Sequence, residues 1–236
     1  MAKHYWTILI TYIVMQLSGL VGVSLLESLN VSNPVVTWSV FSFLTALIIM
    51  LILLRSTPDV PFERSARVSK GQAVGWSILG VFMAYASQII AAMIEMNVFG
   101  IEPGSENTEM LIEVAKAAPI FIIVTSVIGP ILEEIVFRKV IFGALYTRFN
   151  FWIAGILSSV IFAAIHFDFS HLLIYTAMGL TFSFLYVKTK RLIVPIIAHM
   201  TMNTIVVVIN VYFADDIMEM EKQLEQMQSF IGGFFV

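Results

Sequence analysis

The sequence predicts an all-α fold: a polytopic membrane bundle of about seven transmembrane helices with a C-terminal amphipathic helix. Two observations carry that expectation. Of 236 residues, 59% are hydrophobic and only 12% are charged, roughly half the charge of an average soluble domain, and mean hydropathy is +0.92. Polar surface is therefore too scarce to cover a water-soluble globule of this size, and the apolar content excludes a disordered chain. The apolar residues also run in blocks of about spanning length, roughly 20 residues. These blocks lack the ten-residue alternation of a membrane β-barrel. With no cysteine there is no disulfide framework, thiolate metal site or cysteine nucleophile. A net charge of −3 argues against nucleic acid as a partner, because that function needs a clustered basic face.

The expected spans are Tyr5–Leu26, Val35–Leu54, Ala73–Met96, Ala117–Tyr146, Phe151–Phe167, Leu172–Val187 and Leu192–Phe213. The first is too long for a signal-peptide core and has no A-x-A-like exit, so it reads as a retained anchor. Connections Arg55–Gln72 and Asn97–Lys116 hold Pro58, Pro61, Pro103 and Gly104, which suits turns. Neither is long enough for a second domain, so residues 1–236 read as one integral membrane domain. In the tail, Ile217, Met220, Leu224, Met227 and Ile231 repeat at helical spacing and predict a short helix with one membrane-facing side.

Lys and Arg placement sets orientation in the cell membrane. A cytoplasmic N-terminus puts Lys3, Arg55, Arg64, Arg67, Lys70, Arg148, Lys188, Lys190 and Arg191 inside, and only Lys116 and Lys222 outside. Glu95, Glu102, Glu106, Glu109 and Glu113 then lie outside with the acidic tail. An odd number of spans places the C-terminus outside.

Three charges, Glu133, Glu134 and Arg138, are singled out inside a span, in V-I-G-P-I-L-E-E-I-V-F-R. A charge near the bilayer centre costs about 2.5–3.5 kcal/mol even on the lenient insertion scale, so these groups should face protein or trapped water. Glu134 and Arg138 are four apart and can pair. Glu133 lies about 100° around the helix and needs another partner. Gly129-Pro130 should kink the helix beside it. Two histidines also fall in apolar spans: His166, four after Phe162, and His199, four before Asn203. His171 is expected in a solvated outer turn.

A carboxylate, two imidazoles and an amide in a wet cavity suit hydrolysis, with glutamate as base and Asn and His as oxyanion donors. Neither G-x-S-x-G nor H-E-x-x-H is present. That leaves water activated by glutamate alone, or a Zn²⁺ held by Glu133, His166 and His199. A transporter or a non-catalytic immunity protein would keep similar residues; the former predicts inverted repeats, and none is visible.

In chain order, Glu133-Glu134-Ile-Val-Phe-Arg138 fits E-E-x-x-x-R, Phe162–His166 fits F-x-x-x-H and His199–Asn203 fits H-x-x-x-N. Together these resemble the signature of the CPBP (CAAX protease and bacteriocin-processing, Abi) family of intramembrane endopeptidases, in its small Bacillota form. The resemblance places the catalytic region at 119–213. It implies Glu133 as general base with His166 assisting, His199 and Asn203 as oxyanion donors, and Glu134, Arg138 and Phe162 in support. It also implies a metal-free glutamate–histidine mechanism with no cofactor. The implied partners are membrane lipid and a membrane-associated peptide or protein substrate, such as a peptide pheromone or bacteriocin precursor.

Overall fold

A computed structural model describes residues 3–102 and 104–213, with Asp216 and Glu219. The expected amphipathic tail helix, and Pro103, lie outside the described residues. Helices α1 (Lys3–Ser28) and α2 (Pro34–Arg55) form a hairpin, α3 (Lys70–Phe99) follows, and α4 (Glu106–Ala117) occupies the connection read as a turn. A helical run at residues 121–146, called α5, alternates between α and π turns. Helices α6 (Phe151–Ala164), α7 (Leu172–Thr189) and α8 (Ile193–Tyr212) complete the bundle. No strand occurs among the described residues.

Among the described residues, five helical segments are long and apolar enough to cross a membrane: α1, α2, α3, 169–189 and α8. The other two expected spans differ in a telling way. Helix α6 has only 14 residues, and α5 carries Glu133, Glu134, Arg138 and Lys139. The fold is thus a helical membrane bundle, and its two atypical spans, α5 and α6, carry Glu133, Glu134, Arg138 and Phe162. Apolar side chains such as Trp6, Leu20, Ile48 and Phe82 point outward, which is stable only where the surrounding solvent is lipid.

Local chemistry explains the helix ends. Pro34 opens α2, where its missing N–H is no loss. Ser69 and Gln72 form a reciprocal capping box on α3 (3.2 and 3.0 Å), satisfying donors that the helix itself cannot. Gly100 ends α3 with φ +67°, a left-handed turn that glycine adopts without a Cβ penalty.

Small residues let the helices approach closely, as expected where lipid removes the hydrophobic drive. A Cβ on Gly179 of α7 would lie 2.8 Å from Ser159 Cβ and 3.1 Å from its Cα on α6. Gly179→Ala is therefore expected to force α6 and α7 apart and to destabilise by about 1–3 kcal/mol, the usual range for overpacking. A thermal-unfolding midpoint in detergent equal to the parent's would disprove that. Across α3, Tyr85 donates to the Met202 carbonyl (3.2 Å) and Thr181 to Ser87 (3.1 Å).

The Arg55–Gln72 connection is not a passive turn. It folds under α5 and buries Glu63, which accepts from Val60 N–H (2.9 Å), from Tyr186 O–H (2.5 Å) and from Lys139. Asp59 lies 3.6 Å from Lys139 and pairs with Arg67 at 2.6 Å. Lys139 is thus a fourth charge in this span, beyond the three singled out from sequence. Its ammonium is neutralised by a carboxylate from a loop 76 residues away, a pairing invisible in local spacing.

Candidate active site

The site begins with the backbone of α5. The kink expected at Gly129-Pro130 takes the form of π turns: Val124–Ile128 before it and Glu134–Phe142 after it. Gly129 N–H donates to Val124 O, five residues back. Single π turns are characteristic of functional positions because each re-aims the following side chains. Here the wider turn accommodates Pro130, which has no N–H to give. Glu133 and Glu134 both reach His199 on α8 from adjacent positions.

His199 bridges the two carboxylates. Its Nδ1 donates to Glu134 Oε1 at 3.1 Å, and its Nε2 stands 3.7 Å from Glu133 Oε2. The separate partner that Glu133 required is therefore this imidazole. Phe182 stacks on the same ring (centroids 4.7 Å, planes 21° apart) and holds its orientation. Glu134 and Arg138 form the expected ion pair, with Arg138 Nε 3.1 Å from Glu134 Oε2 and both side chains fully buried. That pair is not aligned as a hydrogen bond, and the guanidinium nitrogens find no hydrogen-bond acceptor among the described residues. The guanidinium instead lies over Phe162 (4.7 Å) and Phe182 (5.7 Å), where ring faces attract a desolvated cation.

Phe162 joins all three motifs. Its ring meets Arg138 of the first, His166 (4.7 Å) of its own, and His199 (6.0 Å) of the third. His166 lies just past the end of α6 rather than on it. Its Nδ1 donates to the Phe162 carbonyl at 2.8 Å, so in the neutral ring the Nε2 lone pair is the available base. Asn203 donates to the Thr125 carbonyl at 3.4 Å. Glu133, His166, His199 and Asn203 all line one cavity of about 640 Å³, a usual size for a small-ligand or peptide pocket.

Among the described residues, no three His, Asp or Glu side chains gather as a metal-binding group. His199 Nδ1 is engaged with Glu134, and its Nε2 lies 3.7 Å from Glu133 Oε2. Glu133, His166 and His199 therefore do not stand together as a set of three ligands.

Two expectations need correction. His171 is not solvated: it is buried, and its Nδ1 lies 2.9 Å from Glu95 Oε2. Glu95, counted with the outer acids, is inside α3 and 2% exposed. Its other oxygen accepts from Leu173 and Ile174 N–H (3.1 and 3.2 Å), the otherwise unsatisfied donors at the start of α7. A carboxylate near a span end and a distant histidine reveal this pair only once α3 and α7 are side by side. Tyr175, stacked on His166 at 4.3 Å, also escaped sequence reasoning, because a tyrosine in an apolar run reads as packing.

The model of Type II CAAX prenyl endopeptidase Rce1-like proteins matches residues 115–205, which span every one of these motifs. Two curated relatives extend the likeness beyond them. A putative membrane peptidase, YdiL of Bacillus subtilis (strain 168), is 47% identical over the whole of both chains. The membrane-embedded CAAX protease MroQ of Staphylococcus aureus (strain USA300) is 37% identical across 86% of this chain and 88% of its own. No solved structure matches the chain at a significant level. A buried glutamate–histidine centre in a lipid-facing bundle, together with similarity along the entire length, establishes that the chain belongs to the CPBP family of Rce1-like CAAX proteases and is a membrane peptidase.

Proposed function

We propose that the protein is an intramembrane endopeptidase that hydrolyses a peptide bond in a small membrane-associated peptide or protein, such as a pheromone or bacteriocin precursor. The observation that carries this is the meeting of Glu133, His166, His199 and Asn203 on one cavity. Glu133 takes a proton from water as the water oxygen forms its bond to the scissile carbonyl carbon. The carbonyl oxygen becomes an oxyanion, stabilised by Asn203 Nδ2 and by His199. With Nδ1–H held on Glu134, His199 donates from Nε2 in its imidazolium form. The C–N bond then breaks, and the leaving amine takes a proton from the Glu133–His166 side. Electrostatic donors of this kind contribute about 2.7–4 kcal/mol each to the transition state.

The chemistry is metal-free in this reading, supported by the presence on one cavity of a carboxylate base and of imidazole and amide groups for the oxyanion. Chelator treatment is expected to leave peptide cleavage unchanged; a loss that added Zn²⁺ restores would overturn it. The lysine and arginine distribution supports a cytoplasmic N-terminus and an outer C-terminus. The cavity lining includes Glu95, Glu102 and Glu109, and no Lys or Arg among the described residues.

The direct test compares membrane-bound and secreted peptides, by mass spectrometry, in the producing bacterium with the gene deleted and then restored. The parent gene should convert a precursor to a shorter product, whereas His166→Ala should leave the precursor intact at equal protein level. Identical peptide profiles in all three strains would reject the proposal.

A further inference from the structure

His166 is held on three sides. The Phe162 carbonyl fixes Nδ1, the Phe162 ring meets one edge, and Tyr175 covers one face with planes 24° apart. Tyr175 is buried, yet its hydroxyl is not idle. It lies 3.1 Å from Ser105 Oγ and accepts from Asn107 Nδ2 at 3.5 Å. Ser105 caps α4 by accepting from Thr108 N–H (3.2 Å) and donates to Asp168 Oδ2 at 2.7 Å.

The chain of contacts closes on itself, because Asp168 is only two residues beyond His166. Between them Phe167 adopts φ +55°, a left-handed conformation that costs a non-glycine residue about 1–2 kcal/mol. That turn lets His166 meet Tyr175 while Asp168 reaches the serine that holds the Tyr175 hydroxyl. A residue present only to fill space would not need a hydroxyl tied to a helix cap and returned to the loop of the histidine.

We propose that Tyr175 is a positioning residue for His166, set from the outer side by Ser105 at the head of α4. Tyr175 lines the same cavity but acts through the imidazole. It fixes the plane of the imidazole, and so the direction of the Nε2 lone pair, and Ser105 fixes Tyr175. The proposal rests on His166 having the role given above, but the orientation itself can be measured without cleavage.

The test uses the full chain in detergent micelles with ring-¹⁵N histidine, the His166 signals being assigned through His166→Ala. Tyr175→Leu should shift or broaden the His166 ring signals and leave those of His199 in place. Tyr175→Phe and Ser105→Ala, which keep the stack and lose the tether, should each produce the same smaller shift. In liposomes of phosphatidylethanolamine and phosphatidylglycerol, cleavage is followed on the fastest-cut member of a quenched-fluorescent peptide library. Tyr175→Leu should lower kcat by about 100-fold, the size expected of a small misplacement at a reacting group. Tyr175→Phe and Ser105→Ala should each lower it about three- to tenfold, as for one hydrogen bond, and the double variant should be no worse than either. KM should stay within about threefold, since the role assigned to Tyr175 and Ser105 is exerted through His166 although both line the cavity.

Parental His166 signals in Tyr175→Leu would overturn the proposal, as would multiplying losses in the double variant or an effect on KM alone. If the parent cuts no library peptide, the spectra alone decide the positioning role, and the protease reading fails separately.

Discussion

Glu133→Gln is expected to lower the rate of peptide cleavage by about 10²- to 10⁴-fold, the range for a general base, while the protein inserts and unfolds as the parent does. The separation of these effects follows from the contacts. The Glu133 side chain keeps 18% of its surface exposed to the cavity and approaches His199 only at 3.7 Å. Glutamine fits the same space and makes the same long contact, yet it cannot accept a proton from water. Rates on a reconstituted peptide substrate, with thermal midpoints measured beside them, check both halves. Cleavage at the parental rate would remove Glu133 as the base. A collapsed midpoint would instead show that the carboxylate is structural.

Arg138→Met is expected to act the opposite way, through stability. Removing one partner of a buried ion pair typically costs about 3–5 kcal/mol, because the remaining charge stays uncompensated. Here the remaining charge is Glu134, fully buried and left with the His199 N–H as its hydrogen-bond partner. Arg138→Lys should not rescue it, since an ammonium cannot lie flat across Phe162 and Phe182 as the planar guanidinium does. The measurement is the thermal midpoint and the monodisperse yield in detergent. A midpoint within a degree or two of the parent's would mean that the pair contributes nothing to the fold. The comparison with Glu133 is the instructive part. Two adjacent glutamates touch one imidazole, and burial alone divides them: Glu134 is sealed in with a cation, and Glu133 borders the cavity.

Much of the site was legible because hydrocarbon penalises charge. Glu133, Glu134 and His199 stand out in apolar runs, and the four-residue spacing of Glu134 and Arg138 foretells their ion pair. Lys139 was overlooked and Glu95 misplaced for the converse reason. Each lies in a span whose local neighbours hold no partner, since Glu63 and His171 are both 76 residues away in the chain. Such distant pairs leave no periodic trace. His171 was read as solvated because it follows a helix break, and the packing of α3 on α7 put it in the interior.

By itself, then, the amino-acid order determined the solvent, the helical class and the chemically unusual residues, since each of these depends on composition or on spacing within one helix. Tertiary structure alone decided which carboxylate meets the cavity, which tyrosine faces His166 and where the connecting loops anchor. Those outcomes depend on π turns in α5 and on close helix contacts such as Gly179 against Ser159. They rotate side chains by fractions of a turn, and a fraction of a turn separates a buried ion pair from a carboxylate that borders the cavity.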